Sequence, residues 1–307
     1  MWISRKCGLA AGALIVLFAA GAAHADGLSK FNELIKAKMP PGALTYKSAK
    51  AVGDYGFALE DVVVTPPPDS TGGAKAQPIK IHAVTVENID FDSIAKKAPP
   101  NFVKMRIEGI DVDKNPATGI DLKAFTGIDK ATADVDLDYR IDPAKKTMTL
   151  NHLTFTLDGL GRLELSMILD GVTVSDVDKP DKAMNDATLR TASLVYDDHS
   201  LLGTALPAAA KAGGMDPAAV ITMAKAFLDG LRKGQGEAAG KVFDAIESFL
   251  EDYKSPKGPL RLTFNPPPKT SVETITGAKG ADEVIKALGL TVNYAGTRKQ
   301  AAAAAPK

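Results

Sequence analysis

The chain has 307 residues, a length that suits one large domain or two ordinary ones. Its 37 basic side chains balance 37 acidic ones, and 45% hydrophobic with 24% charged residues is a globular composition. That composition excludes a wholly disordered or fibrous chain, and without a basic excess non-specific nucleic-acid binding is not its work.

The first segment reads as an address. Arg5 and Lys6 make a short basic start, and Gly8 to Ala23 is an unbroken small and apolar run centred on Leu14 to Phe18. Ala23-His24-Ala25 then precedes Asp26. This three-part order is the signature of a secretory signal peptide cleaved after Ala25. The apolar run is too short to span about 30 Å of hydrocarbon. Cleavage leaves 282 residues with 35 basic and 37 acidic side chains, and no cysteine, because Cys7 is the single one. Disulfides, thiolate metal sites and cysteine nucleophiles are thereby excluded from the mature chain. A chain of this size buries about 75% of its unfolded surface without staples. The expectation is an exported, soluble, periplasmic protein.

Leu28, Phe31, Leu34 and Ile35 recur at helical spacing until Pro40-Pro41-Gly42. From Tyr55 the period becomes that of strands: Phe57 to Val64, Ile79 to Val86 and Phe102 to Val112, with a short helix over Phe91 to Lys97. Val135, Leu137, Tyr139 and Ile141 alternate with Asp134, Asp136, Asp138 and Arg140, which is a strand with one buried face. Turns at Asp142-Pro143-Ala144-Lys145 and Asp158-Gly159 join it to Met148 to Leu157 and then to Leu163, Leu165, Met167 and Leu169, a meander. Leu189 to Tyr196 extends the same sheet.

Composition then shifts to Ala-rich helices. Ser200 is placed to cap a helix through Lys211, and Asp216-Pro217 opens a second with Val220, Met223, Ala224, Phe227 and Leu231 on one side. A third follows Gly234-Gln235-Gly236, with Val242, Ile246, Phe249 and Tyr253 in a stripe. Leu260 to Phe264 returns as a strand, Ala281 to Leu288 is a short helix and Leu290 to Tyr294 a last strand. The fold class expected is α+β, an antiparallel β-meander sheet covered by C-terminal amphipathic helices after a cleaved leader. By segment, 1–25 is the signal peptide and 26–297 a single interlocked domain. Within it, 51–198 is β-rich, 200–254 helical, 258–295 a short β/α return. Residues 298–307 form an Ala-rich disordered tail.

Catalytic motifs are scarce. After export only His82, His152 and His199 remain, with no paired metal spacing. Asp198-His199-Ser200 has the letters of a hydrolase, but triads are assembled from distant positions, and helix capping accounts for the serine. Gly-x-Ser-x-Gly, the phosphate-cradling loop and the dinucleotide fingerprint are absent. Asp111, Asp113 and Asn115 match the start of a calcium loop, but Pro116 and Leu122 replace its Gly and bidentate Glu. Asp176, Asp178 and Asp181 form a second acidic group. These six are candidate metal ligands, calcium being the one cofactor that they suit; with the ligand set incomplete, solvated turns are the favoured explanation.

The apolar signal is broader. Leu163, Leu165, Met167 and Leu169 on the meander, with Met223, Phe227, Ile246 and Phe249 on the helices, are the candidate lining of an apolar-ligand site. Aliphatic and methionine side chains with few aromatics suit acyl chains better than sugars. The function expected is a non-enzymatic periplasmic protein that binds a lipid-like or other apolar envelope component. The alternatives are an envelope scaffold that meets a protein partner through Val220 to Tyr253, and a calcium-stabilised binding protein.

Overall fold

The computed structural model describes residues 25–66, 78–112, 123, 127–128, 130–172, 187–268, 270, 277–278 and 280–297. Residues 1–24 of the leader, the Ala-rich tail and, of the candidate metal ligands, Asp113, Asn115, Asp176, Asp178 and Asp181 lie outside the described residues.

The architecture is α+β, one open antiparallel sheet of eleven strands with six α-helices among the described residues. The strands are β1 (Leu44–Thr45), β2 (Ser48–Val52), β3 (Gly56–Val64), β4 (Ile79–Ile89), β5 (Phe102–Asp111), β6 (Thr132–Asp142), β7 (Thr147–Leu157), β8 (Gly161–Asp170), β9 (Thr188–Asp198), β10 (Leu260–Phe264) and β11 (Leu290–Asn293). From β3 to β11 each strand pairs with the next in sequence, and both β1 and β2 pair with β3 at the first edge. The expected meander is thus the centre of a longer one, and β10 returns to β9 after the helices.

Local chemistry sets the turns. At the β6–β7 hairpin one carboxylate oxygen of Asp142 accepts from the backbone N–H groups of Ala144 and Lys145, both at 3.1 Å. At the β7–β8 hairpin Gly159 supplies a φ of 69°. β1 and β2 are strands that the sequence pattern did not reveal.

The helices are α1 (Gly27–Leu34), α2 (Phe91–Ala95), α3 (Leu201–Ala212), α4 (Pro217–Arg232), α5 (Glu237–Glu251) and α6 (Ala281–Leu288). Asp26 accepts from Ser29 N at 2.8 Å to start α1, and Asp216 accepts from Ala218 N at 2.8 Å to start α4. α3 departs from the expected cap. The Ser200 hydroxyl donates to the Gly159 carbonyl at 2.8 Å, and the Asp198 carboxylate accepts from Leu202 N at 3.0 Å instead. A buried charge at that end satisfies the helix donor better than a hydroxyl already held by a turn.

Burial divides between the two ends of the sheet. At one, α1 and α2 bring Phe31 and Phe91 onto Phe57, Leu59, Val62 and Val86, with Phe31 stacked on Phe57 at 4.1 Å. At the other, α5 and α6 pack on β10 and β11, and Phe249 meets Tyr196 and Tyr294 edge-on at 5.8 and 5.2 Å. A small cluster of Ala133, Leu157 and Leu160 closes one end of β6 and β7, with Leu201 of α3 against it.

Candidate functional site

The register of the central strands builds a single apolar face. Met105 and Ile107 of β5 pair with Leu137 and Val135 of β6, and these pair with Leu153 and Phe155 of β7. Phe155 and Leu153 pair in turn with Leu163 and Leu165 of β8. Farther along the same strands Tyr139 meets Leu150, and Leu150 meets Met167, so the rows run straight across the sheet. Side chains alternate faces along a strand, so the charged partners lie opposite.

Bulges keep this face continuous. In β7 the register shifts between Leu150 and Leu153, which takes up one extra residue and returns Leu150 to the apolar side. On β5 the shift falls between Ile107 and Ile110, at Gly109 with φ 65°. A Cβ there would lie 2.8 Å from the His82 Cβ, so glycine is needed for close approach as well as for conformation.

The middle of this face is open. Leu153, Phe155 and Leu163 are 37%, 44% and 40% exposed, and they are direct or diagonal neighbours across β7 and β8. Large apolar side chains are ordinarily scattered when exposed; a contiguous patch marks a place of contact. Val135, Leu137 and Leu165 beside them are half-buried. The helices that pack most closely on the sheet do so at its ends, α1 on β2 and β3, α5 and α6 on β10 and β11.

The eight apolar candidates therefore fall in three places. Leu163, Leu165, Met167 and Leu169 share the open face on β8. Ile246 and Phe249 of α5 are spent on packing against β9 to β11, Phe249 being buried. Met223 and Phe227 lie on the outside of α4, exposed by 54% and 67%. Leu153 and Phe155, the other members of the open patch, were not singled out by the sequence. Their strand was legible, but the exposure of its apolar side was not.

α4 is turned the opposite way from a surface helix. It has no buried residue, and its inward contacts are largely ionic. Lys225 reaches Glu247 at 3.1 Å and also Glu251, while Arg232 holds Asp244 at 2.7 Å and Glu247 at 3.4 Å. Hydrogen bonds from Lys225 to the two glutamates raise its ammonium above the ordinary lysine value. Leu228 adds an apolar contact to α5. With Lys225 and Arg232 drawn inward, the helix presents Met223, Phe227 and Leu231 to solvent beside exposed Asp229.

The opposite face of the sheet is polar and largely self-neutralised. Arg106 meets Asp136 at 3.2 Å, His152 lies 3.8 Å from Asp136, and Lys104 pairs with Glu87. Hydrogen bonds from Arg190 hold the Asp170 carboxyl below the usual carboxylate range.

Asp198, His199 and Ser200 have separate partners. The Tyr196 hydroxyl donates to Asp198 at 2.6 Å, His199 lies 3.6 Å from Asp197, and Ser200 holds Gly159. Burial, followed by the hydrogen bond to Asp198, pushes the Tyr196 phenol far above its ordinary value. Asp111 is exposed at the end of β5. Among the described residues no group of three or more His, Cys, Asp or Glu is placed to hold a metal ion. A separate cleft of about 1030 Å³ opens between α5 and the β10–β11 edge, lined by Lys241, Asp244, Arg261, Asn293 and Tyr294.

A family model described as an uncharacterized protein matches residues 154–295. That stretch takes in Phe155, Leu163 and all of α3 to α6, and leaves out β1 to β6. No curated protein matches the chain.

Proposed function

We propose that the mature chain, exported to the periplasm, is a non-enzymatic carrier or receptor for a lipid-like molecule, held on the open apolar face of β6 to β8. The observation that carries this reading is the contiguous exposure of Leu153, Phe155 and Leu163 in the middle of an apolar sheet face whose other members are half-buried or buried. The ligand takes over β6 to β8 the place that the helices take at either end. Its chemistry follows from the lining. Aliphatic and methionine side chains conform to a flexible acyl chain, and the rows across β5 to β8 offer it no charge to desolvate. Four strands about 4.8 Å apart give a strip on the order of 15 Å across, room for a stretch of acyl chain laid over them.

The test is native mass spectrometry of residues 26–307 purified from a periplasm, followed by solvent extraction. The expected result is a lipid-sized adduct that a Phe155→Glu, Leu163→Glu variant fails to retain. A bare polypeptide under gentle conditions, together with no binding of an apolar fluorophore, overturns the reading.

A further inference from the structure

We infer that α4 is a self-association surface, the seam of an antiparallel contact between two copies of this chain. This goes beyond the ligand reading and does not rest on it. Asp216, Ala219, Met223, Ala226, Gly230 and Lys233 follow one another at alternating steps of three and four residues. On a helix that spacing draws a single line, the seam of a two-helix contact. All six are exposed. Phe227 flanks the line at 67% exposure, and the nearby charges of Lys225 and Arg232 are taken up by α5. The line itself carries no charge between an acid at one end and a base at the other, with exposed Asp229 flanking it on the side away from Phe227.

That pattern is self-complementary under a two-fold axis crossing the seam between Met223 and Ala226. Antiparallel pairing sets Asp216 of one copy against Lys233 of the other, twice. It sets Ala219 against Gly230 and Met223 against Ala226, so that the larger side chain faces a small one. Parallel pairing brings Asp216 to Asp216, Lys233 to Lys233 and Met223 to Met223, with like charges and a steric conflict. Asp216 caps α4 through one carboxylate oxygen, and the other points to no backbone donor of the helix. An anionic lipid surface gains nothing from a strip whose two ends carry opposite charges, which is why a second copy is the occupant chosen.

A helix of this length is about 24 Å long, and one helix against another covers less than the roughly 800 Å² per partner of a standard stable interface. The association therefore belongs with small, transient contacts and is sought at high protein concentration.

Sedimentation velocity of residues 26–307 across about 1–500 µM reads it directly through mass action. A shift from monomer to dimer is expected, with Met223→Asp abolishing it. Lys233→Asp should weaken it about tenfold by placing two carboxylates at each end, and Asp216→Lys added to Lys233→Asp should restore it. Asp216→Asn, which keeps the cap, should weaken it as well. Circular dichroism on each variant separates lost association from lost fold. A monomer at the highest concentration, an association indifferent to Met223→Asp, or a double reversal that fails to restore it overturns the inference. So does a wild type that stays monomeric while co-sedimenting through α4 with phosphatidylglycerol vesicles.

Discussion

Phe155 and Phe91 are the same side chain in opposite situations, and substituting each in turn tests whether the middle of the sheet is surface or core. Phe91, the first residue of α2, is 2% exposed, whereas Phe155 is 44% exposed on β7. Complete burial of a large apolar side chain contributes about 1.5–3 kcal/mol, and roughly half of that remains at Phe155, so Phe155→Ser costs about 1–1.5 kcal/mol. Phe91→Ala removes a fully packed ring and leaves a cavity, which costs about 3–5 kcal/mol. Urea unfolding of residues 26–307 gives both values from the shift in midpoint at constant slope. The binding assay should rank them in reverse. Phe155→Ser, alone or with Leu163→Ser, is expected to lose most of the binding of a naphthylamine fluorophore while remaining folded. Phe91→Ala, measured below its unfolding transition, should keep it. If Phe155→Ser is as destabilising as Phe91→Ala, the patch is core and the reasoning fails. If it is mild but fluorophore binding is unchanged, the apolar ligand does not lie on β7 and β8.

Three further outcomes follow from particular contacts. Asp90, buried before α2, accepts from Ser93 N, Ser93 Oγ, Asn101 N and Asn101 Nδ2 at 3.0, 2.6, 3.1 and 2.7 Å. Burial pushes its carboxyl up, but those hydrogen bonds outweigh burial and hold it below the usual carboxylate range. Its stabilisation is then complete above the unfolded value of about 3.9 and lost as pH falls through the lower folded value, while Asp90→Ala should cost roughly 2–3 kcal/mol at neutral pH and flatten that acid limb. Arg232→Ala leaves Asp244 and Glu247 without their guanidinium partner, and amide hydrogen exchange should accelerate across α4 while the buried face of α5 stays protected. Gly109→Ala forces a left-handed φ of 65° on a residue whose Cβ would press on His82, and a loss of at least about 1–2 kcal/mol is expected in thermal unfolding; an unchanged Tm would contradict the account of that bulge.

Much of the sheet was legible because each strand states its own periodicity. The alternation from Val135 to Ile141 and from Leu163 to Leu169 places these residues on one face without any tertiary information. β2 escaped because Ser-Ala-Lys-Ala-Val is short and its apolar positions are mostly alanine, a poor strand former, with Val52 its single β-branched residue. It exists because β3 presents a nine-residue edge, and Gly53 with φ 63° lets the chain turn back along it. The start of α3 misled for a related reason. A serine next to a helix is the common cap, but the competing Gly159 carbonyl and the Asp198 carboxylate come from register across β8 and β9.

The candidate site was legible only in its composition, and the reason is one of coverage. A helix about 10 Å across lies over roughly two strands at 4.8 Å spacing, so ten strands in a row need about five helices side by side. α1 and the short α2 serve the first end, and α5 and α6 the last. α4 is long enough and apolar enough to have covered part of the gap, but Lys225 and Arg232 bind it to the acidic side of α5 and turn its apolar stripe outward. Hydrophobic periodicity gives the direction in which a helix or strand is apolar; which neighbour that side meets depends on where the opposite charges lie. In α4 those charges left the apolar side facing solvent, while Leu153 and Phe155 of β7 stay exposed between the helix-packed ends of the sheet; these are the two surfaces on which binding is proposed.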